Sequence, residues 1–267
     1  MTTEEFIEIL KEKRYSYEME GDKIIVTHGG RVYLDDLETL PPGVHFKNNG
    51  HVILNSIMIL PPGVEFKNGG HVYLNSIETL PSGVAFENDG DVALSHLETI
   101  PPGVEFKNKG TVHLGLLRTL PPGVHFRNNG TVYLSALKAL PPGMEFENGG
   151  SVHLTFLKTL PPGVEFKNRR DVYLSHLETL SPGVEFKNEG DVDLRSLETL
   201  PPGVEFKNGG DVDFSSLKTI SPGVHFENSG DARIKGLEWV EDNEEIRIDG
   251  VDNKRLLRLM ISKGLFI

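Results

Sequence analysis

The chain of 267 residues carries 39 acidic against 27 basic side chains, a formal net charge of −12, which argues against nonspecific attraction to nucleic acid or an anionic membrane surface. It has no cysteine, so disulfides, thiolate metal sites and cysteine nucleophiles are excluded. No apolar run approaches the roughly 20 residues needed to cross a bilayer, and the opening stretch MTTEEFIEILKEKRY is too charged for a signal peptide; the expectation is a soluble cytoplasmic protein, with export by another route left open.

Residues 1–20 read as an N-terminal cap. Thr2 or Thr3 followed by Glu5 has the form of a capping box, and Phe6, Ile7 and Leu10 share one helical face. Tyr15 to Met19 is expected to return as a strand.

Residues 21–240 repeat one twenty-residue unit without insertion, marked by Asn48, Asn68, Asn88, Asn108, Asn128, Asn148, Asn168, Asn188, Asn208 and Asn228. We number the unit so that Asn48 is position 8. Positions 4 and 6, as in Val104 and Phe106, and positions 12 and 14, as in Val112 and Leu114, are apolar two apart, which predicts two short strands with those side chains inward. Positions 17 and 20, as in Leu97 and Ile100, predict a third, irregular segment. N-x-G and P-P-G, as in Asn128 to Gly130 and Pro121 to Gly123, predict the corners. Three strands and three corners per unit describe a parallel β-solenoid of about 10–11 coils with short helical caps at both ends, coils rising about 4.8 Å each and giving roughly 50 Å in all.

The order L-x-x-L-P-P-G-V-x-F-x-N puts Pro-Pro-Gly where a leucine-rich repeat would run its strand. The chain resembles, over residues 21–240, the short-period bacterial β-solenoid and leucine-rich-like repeat proteins as a class. That resemblance implies a scaffold or binding role and brings no catalytic residues with it.

Residues 241–267 read as a C-terminal cap. Trp239 replaces the usual Thr, Ile246 and Ile248 suggest a last strand, and Asp252 or Asn253 would cap a helix through Leu256 to Gly264, followed by the apolar Leu265, Phe266 and Ile267.

The Asn column is expected to be a corner ladder bonding amide to amide or to turn backbone. The Glu and Lys columns at positions 5 and 7, as in Glu165 and Lys167, read as a solvated face, and the Thr column at position 19 as a β-former beside a bend. Outward variation concentrates at positions 11, 13, 15 and 16. The binding candidates are Tyr33, His51, His71, Tyr73, His113, Tyr133, His153 and Tyr173, because exposed Tyr and His are enriched at interfaces and sugar-binding surfaces; Leu116 and Phe156 are expected near them. Asp191, Asp193, Asp211 and Asp213 form a carboxylate cluster in register, a weak candidate for calcium; no cofactor and no definite metal site is expected.

An enzyme needs loops that gather an acid, a base and a pocket, and the strict period supplies none. The leading expectation is a noncatalytic module, monomeric or a small homo-oligomer, that binds another protein through positions 11 and 13. A carbohydrate-binding or polysaccharide-acting solenoid and an acidic nucleic-acid mimic are the alternatives.

Overall fold

A computed structural model describes residues 1–234 and the backbone of two further strands, Trp239–Val240 and Arg247–Ile248. The second of these lies where Ile246 and Ile248 suggest a strand; the expected C-terminal helix and apolar tail lie outside the described residues. The fold is a parallel β-solenoid of about 11 turns with one short N-terminal helix. It divides into two compact units, Met1–Leu134 and Ser135–Ile267.

The first unit opens with α1 (Thr3–Glu12), started by the predicted capping box: the Glu5 amide donates to Thr2 Oγ1 at 3.2 Å and the Thr2 amide to Glu5 Oε2 at 2.7 Å. Phe6 and Leu10 are fully buried while Ile7 is only partly so. Two strands, β1 (Tyr17–Glu20) and β2 (Lys23–Val26), then pair antiparallel, and β2 passes its other edge in parallel to Val44–Phe46 of the next coil. The helix and its hairpin thus cover an edge that stacked coils would otherwise leave open.

Beyond that hairpin the paired strands run parallel and in register with the residue twenty positions on, except at the last step of the first side, where Phe226 meets Ile248. On the first side Phe46, Phe66, Phe86, Phe106 and Phe126 are in register in the first unit, as are Phe146, Phe166, Phe186, Phe206 and Phe226 in the second. Their rings stack at 5.2–5.5 Å in the first unit and at 5.0–5.2 Å in the second, planes nearly parallel. That separation is imposed by the rise between coils. On the second side Val32 to Val132 and Val152 to Ala232 form the matching ladders. The inward residues are almost fully buried, each large one contributing about 1.5–3 kcal/mol by removal from water.

Two glycines per coil shape the corners. That of P-P-G takes positive φ throughout, from 69° at Gly143 to 82° at Gly123, as the third residue of a type II turn requires. That of N-x-G is small because the coil below touches it: a Cβ on Gly130 would lie 2.4 Å from the Gly110 carbonyl carbon. Arg170 stands at this position in one coil, and its carbonyl still accepts from Asn168 and Asn188 at 2.7 and 3.1 Å.

The Asn column is a side chain to backbone ladder. Asn108 Nδ2 donates to Gly90 O in the coil below and to Gly110 O and Thr111 O in its own corner, at 3.0, 3.0 and 3.4 Å. The amides do not bond to one another, and Oδ1 of Asn48, Asn68, Asn88 and Asn108 has no partner. One nitrogen thereby adds a donor to several corner carbonyls, each of which also accepts from a backbone amide of a neighbouring coil.

The third side is where the coils differ. In the second unit Thr159–Leu160 pairs with Thr179–Leu180, and Thr199–Leu200 with Thr219–Ile220; in the first unit the third side has isolated bridge residues, as where Ile59 meets Thr79, and no paired strand among the described residues. The difference follows from position 1. Ser181 and Ser221 donate their amides to Leu160 O and Leu200 O at 3.0 and 2.9 Å, whereas Pro61, Pro81, Pro101 and Pro121 have no N–H to give.

Candidate functional site

Position 11 begins the second side, and its polar side chains turn out to bond along the stack. His51 Nδ1 accepts from the His71 amide at 2.9 Å, His71 Nδ1 from the Asp91 amide at 2.8 Å and Asp91 Oδ1 from the Thr111 amide at 2.7 Å. In the second unit Asp171, Asp191 and Asp211 each accept from the position-11 amide of the coil above, at 2.8–2.9 Å. The backbone amide here has no carbonyl opposite, so an acceptor side chain from the coil below completes it. Positions 15 and 16 do similar work: Asp35 Oδ1 accepts from the Asn55 amide at 2.6 Å, and Ser196 Oγ donates to Ser175 O at 2.6 Å.

Position 13 remains the outward column on this side, and its rings, with those of His51 and His71 at position 11, fall into separate groups. His51 and His71 stack at 4.6 Å with Tyr73 against them, at 6.1 and 5.8 Å. His113 and Tyr133 stack at 5.2 Å and 10°, and the buried Ala93 separates this pair from Tyr73. In the second unit His153 and Tyr173 stack at 4.4 Å and 18°. Tyr33 is the most open of the set, its backbone amide donating to Tyr15 Oη at 2.9 Å.

Burial makes His51, His113 and His153 harder to protonate. Desolvation holds His113 and His153 below the ordinary histidine value, against an opposing pull from Asp91 and Asp171 respectively. His51 is lowered by desolvation first and then by His71 and Arg31. Tyr173 is raised, by burial first and by the bond from its hydroxyl to Asp171 Oδ2 at 3.0 Å.

The four aspartates proposed for calcium stack in two coils as expected, with Asp193 opposite Asp213, and each already has work. Arg195 clasps Asp193 through two nitrogens at 2.7 and 2.8 Å, Ser215 donates to Asp213, Asp191 and Asp211 cap amides of the coil above, and Arg233 reaches Asp211. Among the described residues no three His, Asp or Glu side chains are grouped to hold a metal ion.

The first side carries the Glu and Lys columns as an alternating ion-pair network, including Lys167 with Glu165 at 2.6 Å and with Glu145 at 3.4 Å. These lysines hold Glu105, Glu165 and Glu205 below the usual carboxylate range. Such exposed pairs contribute only a few tenths of a kcal/mol each, roughly.

A surface the repeat pattern does not announce lies on the third side of the first unit. A groove of about 1110 Å³ runs past Met58, Ile59, Thr79, Thr99 and Leu116. Met58 and Ile59 replace the charged residue and Thr found at positions 18 and 19 in most coils, as in Glu98 and Thr99; that departure from the period is the signal that locates it. Leu116 lines this groove and does not join the position-13 rings. A smaller depression in the second unit, about 480 Å³, sits beside Pro201, where Leu180 receives no bond from the coil above. Both depressions therefore coincide with interruptions of the third sheet.

No described helix is long and apolar enough to cross a membrane. Compared with protein-family models, curated proteins and solved structures, the chain matches none.

Proposed function

We propose that the chain is a noncatalytic repeat module that binds another protein through the position-13 column of its second side. The observation that carries this reading is the division of labour on that side. Position-11 side chains are consumed in bonds between coils, while the stacked pairs His113–Tyr133 and His153–Tyr173 face outward. Half-exposed rings held rigid by their neighbours offer contact area at little entropic cost, which is what interface anchors require. The resemblance to short-period bacterial β-solenoid and leucine-rich-like repeat proteins supports the same role, with the chain acting in the cytoplasm as a monomer or small homo-oligomer.

The test is affinity capture from cell lysate with the native chain and a variant carrying Tyr33→Ser, Tyr73→Ser, Tyr133→Ser and Tyr173→Ser. A partner retained by the native chain and lost by the variant is the expected result. Retention of the same partners by both would remove the position-13 column from consideration, and selective retention of polysaccharide would favour the carbohydrate reading.

A further inference from the structure

The groove on the third side of the first unit has an apolar floor and an acidic rim, and both depart from the rest of the molecule. Met58, Ile59 and Leu116 are 50%, 64% and 46% exposed, in a repeat whose other large apolar residues are mostly buried. Every other coil places an acid or base at position 18 and most place Thr at position 19, so packing does not demand Met and Ile here. Above and below them Glu38, Glu78 and Glu98 line the groove and make no ion pair among the described residues. In the second unit the same column is neutralised within itself, Lys158 with Glu178 at 2.6 Å and Lys218 with Glu198 at 2.8 Å. The first unit therefore presents three carboxylates with no ion pair among the described residues around exposed apolar side chains, with Arg118 next in the column after Glu98.

We propose that this groove docks an extended polypeptide segment of another protein in which apolar residues alternate with Lys or Arg. The apolar side chains lie on Met58, Ile59 and Leu116, and the cations meet Glu38, Glu78 and Glu98. Coils rise about 4.8 Å, so Glu38 and Glu78 lie roughly 10 Å apart, the length of about three extended residues. An alternating segment running along the stack presents its cations on one face two residues, roughly 7 Å, apart, an interval from which long Lys and Arg side chains reach carboxylates spaced by one or two coils. A second copy of this chain fits poorly, because a two-fold contact at the groove would set the two acidic rims against each other. The surface is distinct from the position-13 column, which occupies another side of the coil.

The experiment uses the full chain and three fluorescently labelled peptides, followed by anisotropy: one alternating Leu and Lys, one alternating Leu and Glu, one alternating Ser and Lys. Two variants borrow residues that other coils already carry at the same positions, so the fold tolerates them: Met58→Glu with Ile59→Thr, and Glu78→Lys with Glu98→Lys. A control carries Tyr33→Ser and Tyr73→Ser on the second side. The expected result is binding of the Leu/Lys peptide alone, weakened by roughly tenfold or more in each groove variant and unchanged in the control. Absence of binding, equal binding of all three peptides, or undiminished binding by the groove variants overturns the proposal. Self-association of the native chain abolished by Met58→Glu with Ile59→Thr overturns it too, in favour of a second copy as occupant.

Discussion

The amide of Ser181 donates to the carbonyl oxygen of Leu160 at 3.0 Å, and this bond separates a coil whose third side is a sheet from one whose third side is a bend. Leu160 and Leu180 pair because Ser181 has an N–H to close the ladder; Leu180 lacks the equivalent from Pro201. One atom at position 1 thereby decides where the surface closes and where it opens into a depression.

Ser181→Pro should remove this pairing without strain, since proline already occupies position 1 in most coils. The loss of one hydrogen bond predicts destabilisation of about 1 kcal/mol, read as a lower urea midpoint, together with faster amide exchange at Thr179. Pro101→Ser should do the reverse in the first unit, adding a bond to Leu80 O and slowing exchange nearby. Unchanged exchange in both variants would mean that proline at position 1 does not control the third side.

Asn108→Ala removes one of the donors to each of Gly90 O, Gly110 O and Thr111 O inside a buried corner, while Asn88, Asn128 and Val92 continue to donate to them. A cost of about 1–2 kcal/mol follows from hydrogen bonds lost at acceptors that each keep another donor. Asn108→Asp should cost more at neutral pH, because a carboxylate would face three carbonyl oxygens. Its deficit relative to Asn108→Ala should shrink as pH falls, when a protonated carboxyl regains one donor. Thermal melts of the two variants across pH settle the point; an aspartate variant as stable as the native chain at pH 7 would refute the ladder's stated role.

Much of this architecture is legible in the sequence because the repeat exposes each position many times. Val104 and Phe106, two apart and inward, announce a strand, and Asn108 announces a corner. What Asn108 bonds to is less legible, since Gly90 O lies in the coil below and only the register places it there. Position 11 is harder still. His71 and Asp91 differ in charge and hydropathy, yet Nδ1 of one and Oδ1 of the other reach the next coil's amide at 2.8 and 2.7 Å. Residues that vary along a face in search of an acceptor look, in one dimension, like residues varying for recognition. The groove at Met58 and Ile59 escapes notice for the opposite reason, because it is a local break in nearly regular columns, where position 18 loses its charge and position 19 its Thr.

Phe106 lies between Phe86 and Phe126, at 5.3 and 5.2 Å, and is fully buried. Phe106→Ala should cost about 3–5 kcal/mol, the transfer loss plus the cavity that parallel neighbours cannot collapse to fill. Phe106→Leu should cost markedly less by keeping most of the volume. Denaturant titrations of both variants would show the difference, and similar midpoints would mean that the coil relaxes around the missing ring.

His113 is held below the ordinary histidine value by burial, which gives stability a definite dependence on pH. The unfolded chain takes up a proton near pH 6.5 while folded His113 resists it, so its contribution is intact above that value and is lost as pH falls towards the lowered folded pKa. His153 and His51 act in the same sense. The lysine-paired carboxylates Glu105, Glu165 and Glu205 add a further loss, beginning only as pH approaches 4.5. His113→Tyr places a residue that Tyr73 and Tyr133 already represent at position 13 and removes one titrating group. Its stability should therefore vary less than the native chain's between pH 7 and pH 5, while the carboxylate-driven loss at lower pH stays the same. Urea midpoints at closely spaced pH values test this, and parallel curves for the two proteins across that interval would show that burial of His113 does not contribute to acid sensitivity.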